Sequence, residues 1–344
     1  MKTNPLLFSQ TSALFSSKKE YSYSKNNISK FVFFVVAAMF MHLTLNACDS
    51  SPNSKHQKNL IRFTMNWDGY ERLYLVHLPP KEKRQQAMPL LFHLHGGGGT
   101  ARSNVGLTFG RFNELADRDG FILVYPQGIE KNWNDGRKLE AVKAWKEDID
   151  DVGFIVAIVE KLKAKYSIDA RRIFTTGMSN GGFMSSRLIC DRSDIFRGAA
   201  ILTASLSVDY LPKCQPSQAT AVLVMNGTED KLVPYNGGEI KVLRKKRGKI
   251  ISTDQFLQFW KKQNSCTVQK PTVQLPNLKA DGTTVSVKEY TNCNDRGALI
   301  LYKINGGGHT WAGGKQYLGE RWVGKTSRDI VACDVIWEFF QSLD

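Results

Sequence analysis

From about residue 60 onward, short apolar runs alternate with amphipathic ones. Residues 89–95, 172–176, 221–225 and 298–304 are short and mostly apolar, as expected of strands buried on both faces. Between such runs, apolar positions recur at helical spacing. Phe154, Ile155, Ile158, Val159 and Leu162 form one such stripe, and Ile330, Cys333, Ile336, Trp337 and Phe340 another. The first predicts a helix over 152–166 with Asp151 as its cap. The second predicts a last helix over 327–343 whose apolar face packs on the sheet. Residues 66–70, Asn-Trp-Asp-Gly-Tyr, separate two strand-like runs and predict an opening antiparallel hairpin. The pattern as a whole predicts an α/β fold, with a mostly parallel central sheet flanked by helices. Residues 60–344 are long enough to enclose one large core, and no repeat or second domain is visible.

One junction in this pattern carries chemistry. Gly177-Met178-Ser179-Asn180-Gly181 lies between the apolar run 172–176 and an amphipathic run that begins at Gly182. In a strand–turn–helix setting, Gly-x-Ser-x-Gly forms a sharp elbow that lifts the serine hydroxyl clear of the sheet. Glycines two residues before and after the serine avoid collision with the neighbouring element. The plainer use of such a string is a tight turn with a capping serine. The rest of the chain separates the two.

An acyl-transfer serine needs a histidine base and an acid that orients it. In chain order, this type of turn is followed first by the acid and then by the histidine. Of the six histidines, His309 alone follows Ser179, in a glycine-rich stretch just past the run 298–304. The run 221–225 leads into Asn226-Gly227-Thr228-Glu229-Asp230. Asp230 is the expected acid, with Glu229 its nearest rival and Asp209 and Asp295 weaker ones; its alternative use is an Asx turn. The tetrahedral intermediate needs N–H donors. The amide of Asn180 is one; the other is expected from the loop Gly96-Gly97-Gly98-Gly99. Gly97 is preferred, with Gly96 or Gly98 as alternatives. No Gly-Lys-Ser/Thr follows these glycines, which argues against a phosphate cradle. His93 and His95 share a strand face, but no partner stands at ligand spacing, so no metal site is expected. The aspartates Asp148, Asp150 and Asp151 suit capping and loop bonding better than cation binding.

Taken together, these segments resemble the polyhydroxybutyrate-depolymerase-like esterases. That group overlaps the feruloyl and acetylxylan esterases of the α/β-hydrolase superfamily. The resemblance is carried by His95-Gly96-Gly97, Tyr125-Pro126-Gln127-Gly128, Trp133-Asn134-Asp135, Asp150 to Phe154, Gly177 to Gly182, Gly227 to Asp230, Pro234 to Gly238, and Gly306 to Trp311. It runs from about Ile61 to the C-terminus and implies an α/β-hydrolase fold in a single catalytic domain. By the same resemblance, Ser179, Asp230 and His309 match the family triad. Trp133 and Trp311 match its cleft-lining aromatics. It also implies disulfides Cys190–Cys214 and Cys266–Cys293, leaving Cys333 as a buried free thiol. The chain departs from its relatives at Glu229, where they carry a small residue, and in a basic insertion over 241–249.

The N-terminal region adds an expectation about location. Residues 31–41 are an apolar run preceded by Lys25 and Lys30, as in a signal h-region. It leads into Leu45-Asn46-Ala47-Cys48, which resembles a bacterial lipobox. The expected layout is a lipoprotein-type signal over 1–47, a flexible tether over 48–59, and a membrane anchor on the acylated Cys48. Free secretion is the first alternative and an uncleaved anchor the second. Export permits disulfides. The net charge is +15; ordinary solubility is the plainer reading of that charge, with an anionic polysaccharide or envelope the alternative.

The expected function is therefore that of an exported serine esterase. Its expected substrates are hydroxycinnamoyl or acetyl esters on plant-wall polysaccharide, or short polyhydroxybutyrate oligomers. No cofactor, metal or nucleic-acid partner is implied, and a monomer is expected. The alternatives are a peptidase or acyltransferase with the same triad, and a non-catalytic surface lipoprotein that binds glycan.

Overall fold

The computed structural model describes residues 60–242 and 245–343. The expected signal, Cys48 and the tether lie outside the described residues.

The chain opens with the expected hairpin. Strands β1 (Leu60–Trp67) and β2 (Tyr70–His77) pair antiparallel from Trp67↔Tyr70 onward. Asp68 and Gly69 turn the corner with φ of 51° and 77°. Left-handed values at both central positions suit a tight hairpin, and Asp-Gly tolerates them. Next come β3 (Met88–Leu94), helices α1 (Ala101–Leu107) and α2 (Arg111–Asp119), and β4 (Ile122–Pro126). Helix α3 (Asp151–Lys163), β5 (Ile168–Met178), α4 (Asn180–Asp191), β6 (Gly198–Leu202) and β7 (Ala221–Gly227) follow. After them, β8 (Gly238–Val242) and β9 (Lys245–Ile250) form a separate hairpin, then comes α5 (Thr253–Gln263). The chain closes with β10 (Val268–Gln269), β11 (Val273–Gln274), β12 (Thr284–Thr291), β13 (Ala298–Asn305) and α6 (Ala332–Gln341).

The main sheet runs β1-β2-β4-β3-β5-β6-β7-β13-β12-β10, with β11 also paired to β12. Its centre, from β4 to β13, is parallel; its edges are antiparallel. Successive residues of the central strands feed opposite faces, as the two-residue period of a strand requires. Leu90, Phe92, Ile122, Val124, Val222 and Val224 pack on one side, with Phe154, Phe183 and Trp260 from α3, α4 and α5. Leu91, Leu123, Tyr125, Leu223 and Met225 pack on the other, with Phe112, Ile336 and Phe340 from α2 and α6. The result is the three-layer α/β-hydrolase architecture.

Two helix boundaries differ from expectation. Helix α3 is capped by Asp150, whose side chain accepts from the Gly153 amide at 2.8 Å. Asp151 instead turns inward to a fully buried ion pair, 2.5 Å from the Arg72 guanidinium. The last helix starts at Ala332, not at 327. Residues 327–331 are held extended because Ser327 O accepts from Gly313 N and Ala312 O from Ala332 N. Ile330 thus lies outside the helix, while Cys333, Ile336, Trp337 and Phe340 keep their buried face. Disulfides join Cys190 to Cys214 and Cys266 to Cys293, and Cys333 is a buried free thiol.

The parallel strands run consecutively outward until the chain reverses direction across the sheet. Strand β3 lies between β4 on one side and β5 on the other. The loops after β3 and β5 therefore diverge, and a crevice forms at the carboxyl ends of the strands.

Candidate active site

Four loops leave the carboxyl ends of parallel strands and meet at that crevice. Gly96–Gly99 follows β3, Ser179 follows β5, Asp230 follows β7 and His309 follows β13. Ser179 sits between β5 and α4 with φ 58° and ψ −123°. Non-glycine residues reach this region only at a cost of about 1–3 kcal/mol, when the surroundings hold them there. The holding contacts are visible: Ser179 N donates to Leu202 O at 2.9 Å and to Thr203 Oγ1 at 3.1 Å. The two glycines of the elbow are required by close approach. A Cβ on Gly177 would stand 2.8 Å from Leu94 O, and one on Gly181 would stand 2.6 Å from His95 O.

His309 and Asp230 meet in the interior. The His309 Nδ1 lies 2.7 Å from Asp230 Oδ2, with both side chains almost fully buried. The other Asp230 oxygen accepts from the amides of Leu232 and Val233, each at 2.8 Å. These bonds point one carboxylate oxygen at the imidazole. Glu229, the rival acid, is exposed. The two loops are also tied together: Gly306 N donates to Thr228 Oγ1 at 2.8 Å, and Glu229 N to Gly307 O at 2.8 Å. Behind His309, the Tyr317 hydroxyl donates to its carbonyl at 2.9 Å. Burial, helped by the Asp230 charge, pushes the Tyr317 phenol up, so it stays a donor.

The glycine loop discriminates among its own amides. Gly98 N is spent on Lys131 O at 2.8 Å, and Gly99 N on Gly96 O at 2.9 Å. Gly97 packs against Asn180: a Cβ on Gly97 would stand 3.6 Å from the Asn180 Cβ. His95 stiffens this loop. Its Nε2 accepts from Gly128 N at 3.0 Å, which leaves Nδ1 to donate to Gly96 O at 2.9 Å. Burial holds its pKa down at about 4, so the ring stays neutral.

Trp133 and Trp311 do not line the cleft. Trp133 is completely buried: its indole donates to His95 O at 2.9 Å and its amide donates to Asn180 Oδ1 at 2.8 Å. Trp311 is buried against His93 and Phe112. Both aromatics brace the site from behind, because their loops fold back beneath it. The tryptophan that does line the cleft is Trp145, and Tyr317 lines it too. The sequence setting of Trp145, Lys-Ala-Trp-Lys, gave no signal of that.

Sequence reasoning also missed the group that anchors Asn180. Asp135, fully buried, accepts from Asn180 Nδ2 at 2.6 Å, from the Arg137 guanidinium at 2.6 Å and from Trp145 Nε1 at 3.1 Å. Asp135 stands in the matched Trp-Asn-Asp string, but string membership alone does not separate a brace from a binding group. His93 has no hydrogen-bond partner on either ring nitrogen, and burial lowers its pKa to about 3. Among the described residues, no cluster of His, Cys, Asp and Glu could hold a metal ion.

Ser179, Asn180, Gly97 and His309 all line one cleft of about 1030 Å³, together with apolar residues such as Val142, Leu232 and Leu318. The profile of the prolyl oligopeptidase family matches residues 119–211, the stretch that carries the serine elbow. Feruloyl esterase B of Piromyces equi is 28% identical over 71% of this chain, which spans 44% of that protein's length. A probable feruloyl esterase C of Aspergillus terreus is 28% identical over 87% of this chain and 93% of its own. The solved acetyl xylan esterase from Aspergillus awamori superposes with a TM-score of 0.53 and 13% identity. It covers 82% of this chain and 99% of its own, and it supports the fold alone.

Proposed function

We propose that this chain, an α/β-hydrolase of the feruloyl-esterase-like kind, is a serine carboxylic ester hydrolase. The carrying observation is the arrangement of Ser179, on a strained elbow, in one cleft with a His309 that is bonded to Asp230. In this reading His309 takes the proton of the Ser179 hydroxyl as that oxygen attacks the ester carbonyl. The amides of Asn180 and Gly97 receive the developing oxyanion. The engaged amides of Gly98 and Gly99 support Gly97 over Gly98 as the second donor. His309 then protonates the leaving alcohol and activates the water that clears the acyl-enzyme. Asp230 holds the imidazole with Nδ1 protonated and Nε2 free to act as base.

The substrate class follows from the relatives. Feruloyl and acetyl xylan esterases are among the proteins this chain resembles, which supports esters on plant cell-wall polysaccharide. Short polyhydroxybutyrate oligomers remain the second choice. Export, by a signal over 1–47 with lipidation of Cys48, fits the two disulfides and is part of the proposal. The match to a peptidase family over the elbow favours one further reading, amide hydrolysis by the same triad.

The test is a comparison of the full chain with its Ser179→Ala variant. The panel is p-nitrophenyl acetate, methyl ferulate, acetylated xylan, a 3-hydroxybutyrate oligomer and a prolyl peptide amide. Turnover of an ester that the variant loses is the expected result. Turnover of the peptide alone would replace the esterase by a peptidase. No Ser179-dependent turnover from folded protein would sink the hydrolase reading.

A further inference from the structure

The lining of the cleft is strongly one-sided in charge. Arg102, Arg137, Lys143, Arg247 and Lys315 contribute to it, against the single carboxylate of Glu130. Three of these cations are already engaged, Arg102 among them. Arg137 is 2.6 Å from the buried Asp135, and Lys143 lies 3.9 Å from both Glu130 and Glu147. Arg247 and Lys315 are placed differently. Arg247 is half-buried on β9, in the basic insertion. Residues 238–250 there hold six cationic residues and one acid, Glu239, which pairs with Lys246 at 3.2 Å. The hairpin is fixed over the cleft because Arg137 donates to Arg247 O at 3.2 Å, while Ile240 and Val242 turn their side chains into the same cleft. Lys315 is exposed and comes from the loop that follows His309; its amide is anchored on Leu107 O at 2.8 Å. Two separate chain segments thus bring positive charge to the cleft that holds Ser179. A cleft lined by one sign of charge, with apolar walls, focuses its field on the ligand.

We propose that the cleft selects esters whose substrate carries a carboxylate beside the reacting ester, and that Arg247 and Lys315 make the selection. This deepens the esterase reading and rests on it. The carboxylate has two chemical sources, the acid sugar of a uronic polysaccharide or a dicarboxylic acyl group. Both present the same anion to the same cations.

Two matched pairs of substrates for the full chain separate the sources. Acetylated oligogalacturonide is compared with acetylated xylo-oligosaccharide, and 4-nitrophenyl hydrogen succinate with 4-nitrophenyl butyrate. The expected result is preference for the acidic member of at least one pair, eroded by added salt. In Arg247→Gln/Lys315→Gln, the acidic-to-neutral ratio of kcat/KM should drop about tenfold, mainly through KM. Lys246→Gln, on the same hairpin but outside the cleft lining, should leave that ratio unchanged. Preference for the neutral member in both pairs would overturn the proposal. So would a ratio that the double variant leaves intact, or that Lys246→Gln lowers equally. Should Ser179→Ala disprove the hydrolase itself, calorimetric titration of the full chain with oligogalacturonide and with xylo-oligosaccharide still decides. Salt-sensitive binding of the acidic oligomer, weakened in the double variant, upholds the selection; equal or absent binding of the two refutes it.

Discussion

At the floor of the cleft, Ser179, Asn180, Asp230 and His309 are held by buried and half-buried hydrogen bonds; at its rim, Arg247 is half-buried and Lys315 exposed. The floor is over-determined. Asn180 is clamped by Trp133 and Asp135, Asp230 by two amides and His309, and the elbow by glycines that no side chain can replace without collision. The rim is held by its backbone and leaves its charged side chains facing solvent. The contrast follows from how much precision each part needs. Groups that must meet a reacting atom within tenths of an ångström are built into low dielectric, where each bond is strong and each loss costly. Groups that only attract a charge act over longer distances and tolerate water.

Substitutions should therefore have effects that fall steeply from floor to rim. Ser179→Ala should lower kcat by about 10⁴-fold or more, measured on whichever ester the wild type prefers. It should not lower Tm, because no stabilising bond of the side chain is lost. Ser179→Gly should raise Tm, since glycine adopts φ 58° without penalty. A fall in Tm for that variant would show that the elbow is not strained. Asp230→Asn should cost about 10³- to 10⁴-fold in kcat while the protein stays folded, since an amide would favour the wrong imidazole tautomer.

One layer further out, Asp135→Asn tests whether the brace belongs with the floor. It leaves the buried Arg137 without its counter-charge, which destabilises by about 3–5 kcal/mol. The displaced Asn180 should then lose about 10²-fold in kcat. Stability loss without the kcat loss would reduce Asp135 to a folding role. The rim pair Arg247 and Lys315 is expected to alter substrate choice by only about tenfold.

A separate effect concerns pH. His93 and His95 titrate near 3 and 4 in the folded chain, against the ordinary 6.5, because burial disfavours their charged forms. Below about pH 6.5 the unfolded chain therefore binds protons that the folded chain does not. Stability should fall as pH drops from 6.5 towards 4, and further towards 3. Tm measured across that range should decline less steeply in His93→Leu. An unchanged slope would place the acid sensitivity elsewhere.

The order of elements, the elbow and the succession of acid and histidine were legible in the chain. They depend on local requirements: a two-residue or helical period, glycine at positions of backbone contact, an acid after one strand and a histidine after the next. Asp230 stood out from Glu229 only by expectation. The structure adds the two amides that bind one of its oxygens and the imidazole that binds the other. The aromatics illustrate the limit. Trp133, Trp311 and Trp145 look alike in sequence, yet the first two lie beneath the site and the third lines it. Asp150 and Asp151 are neighbours, but one caps a helix and the other pairs with Arg72, 79 residues away. The layered α/β pattern and the chemistry on offer both follow from side chains and their spacing along the chain. Which tryptophan lines the cleft, which acid is buried and which cations reach the cleft depend on the tertiary fold. Burial and charge compensation are set by partners that are distant in sequence and adjacent only once the sheet has formed.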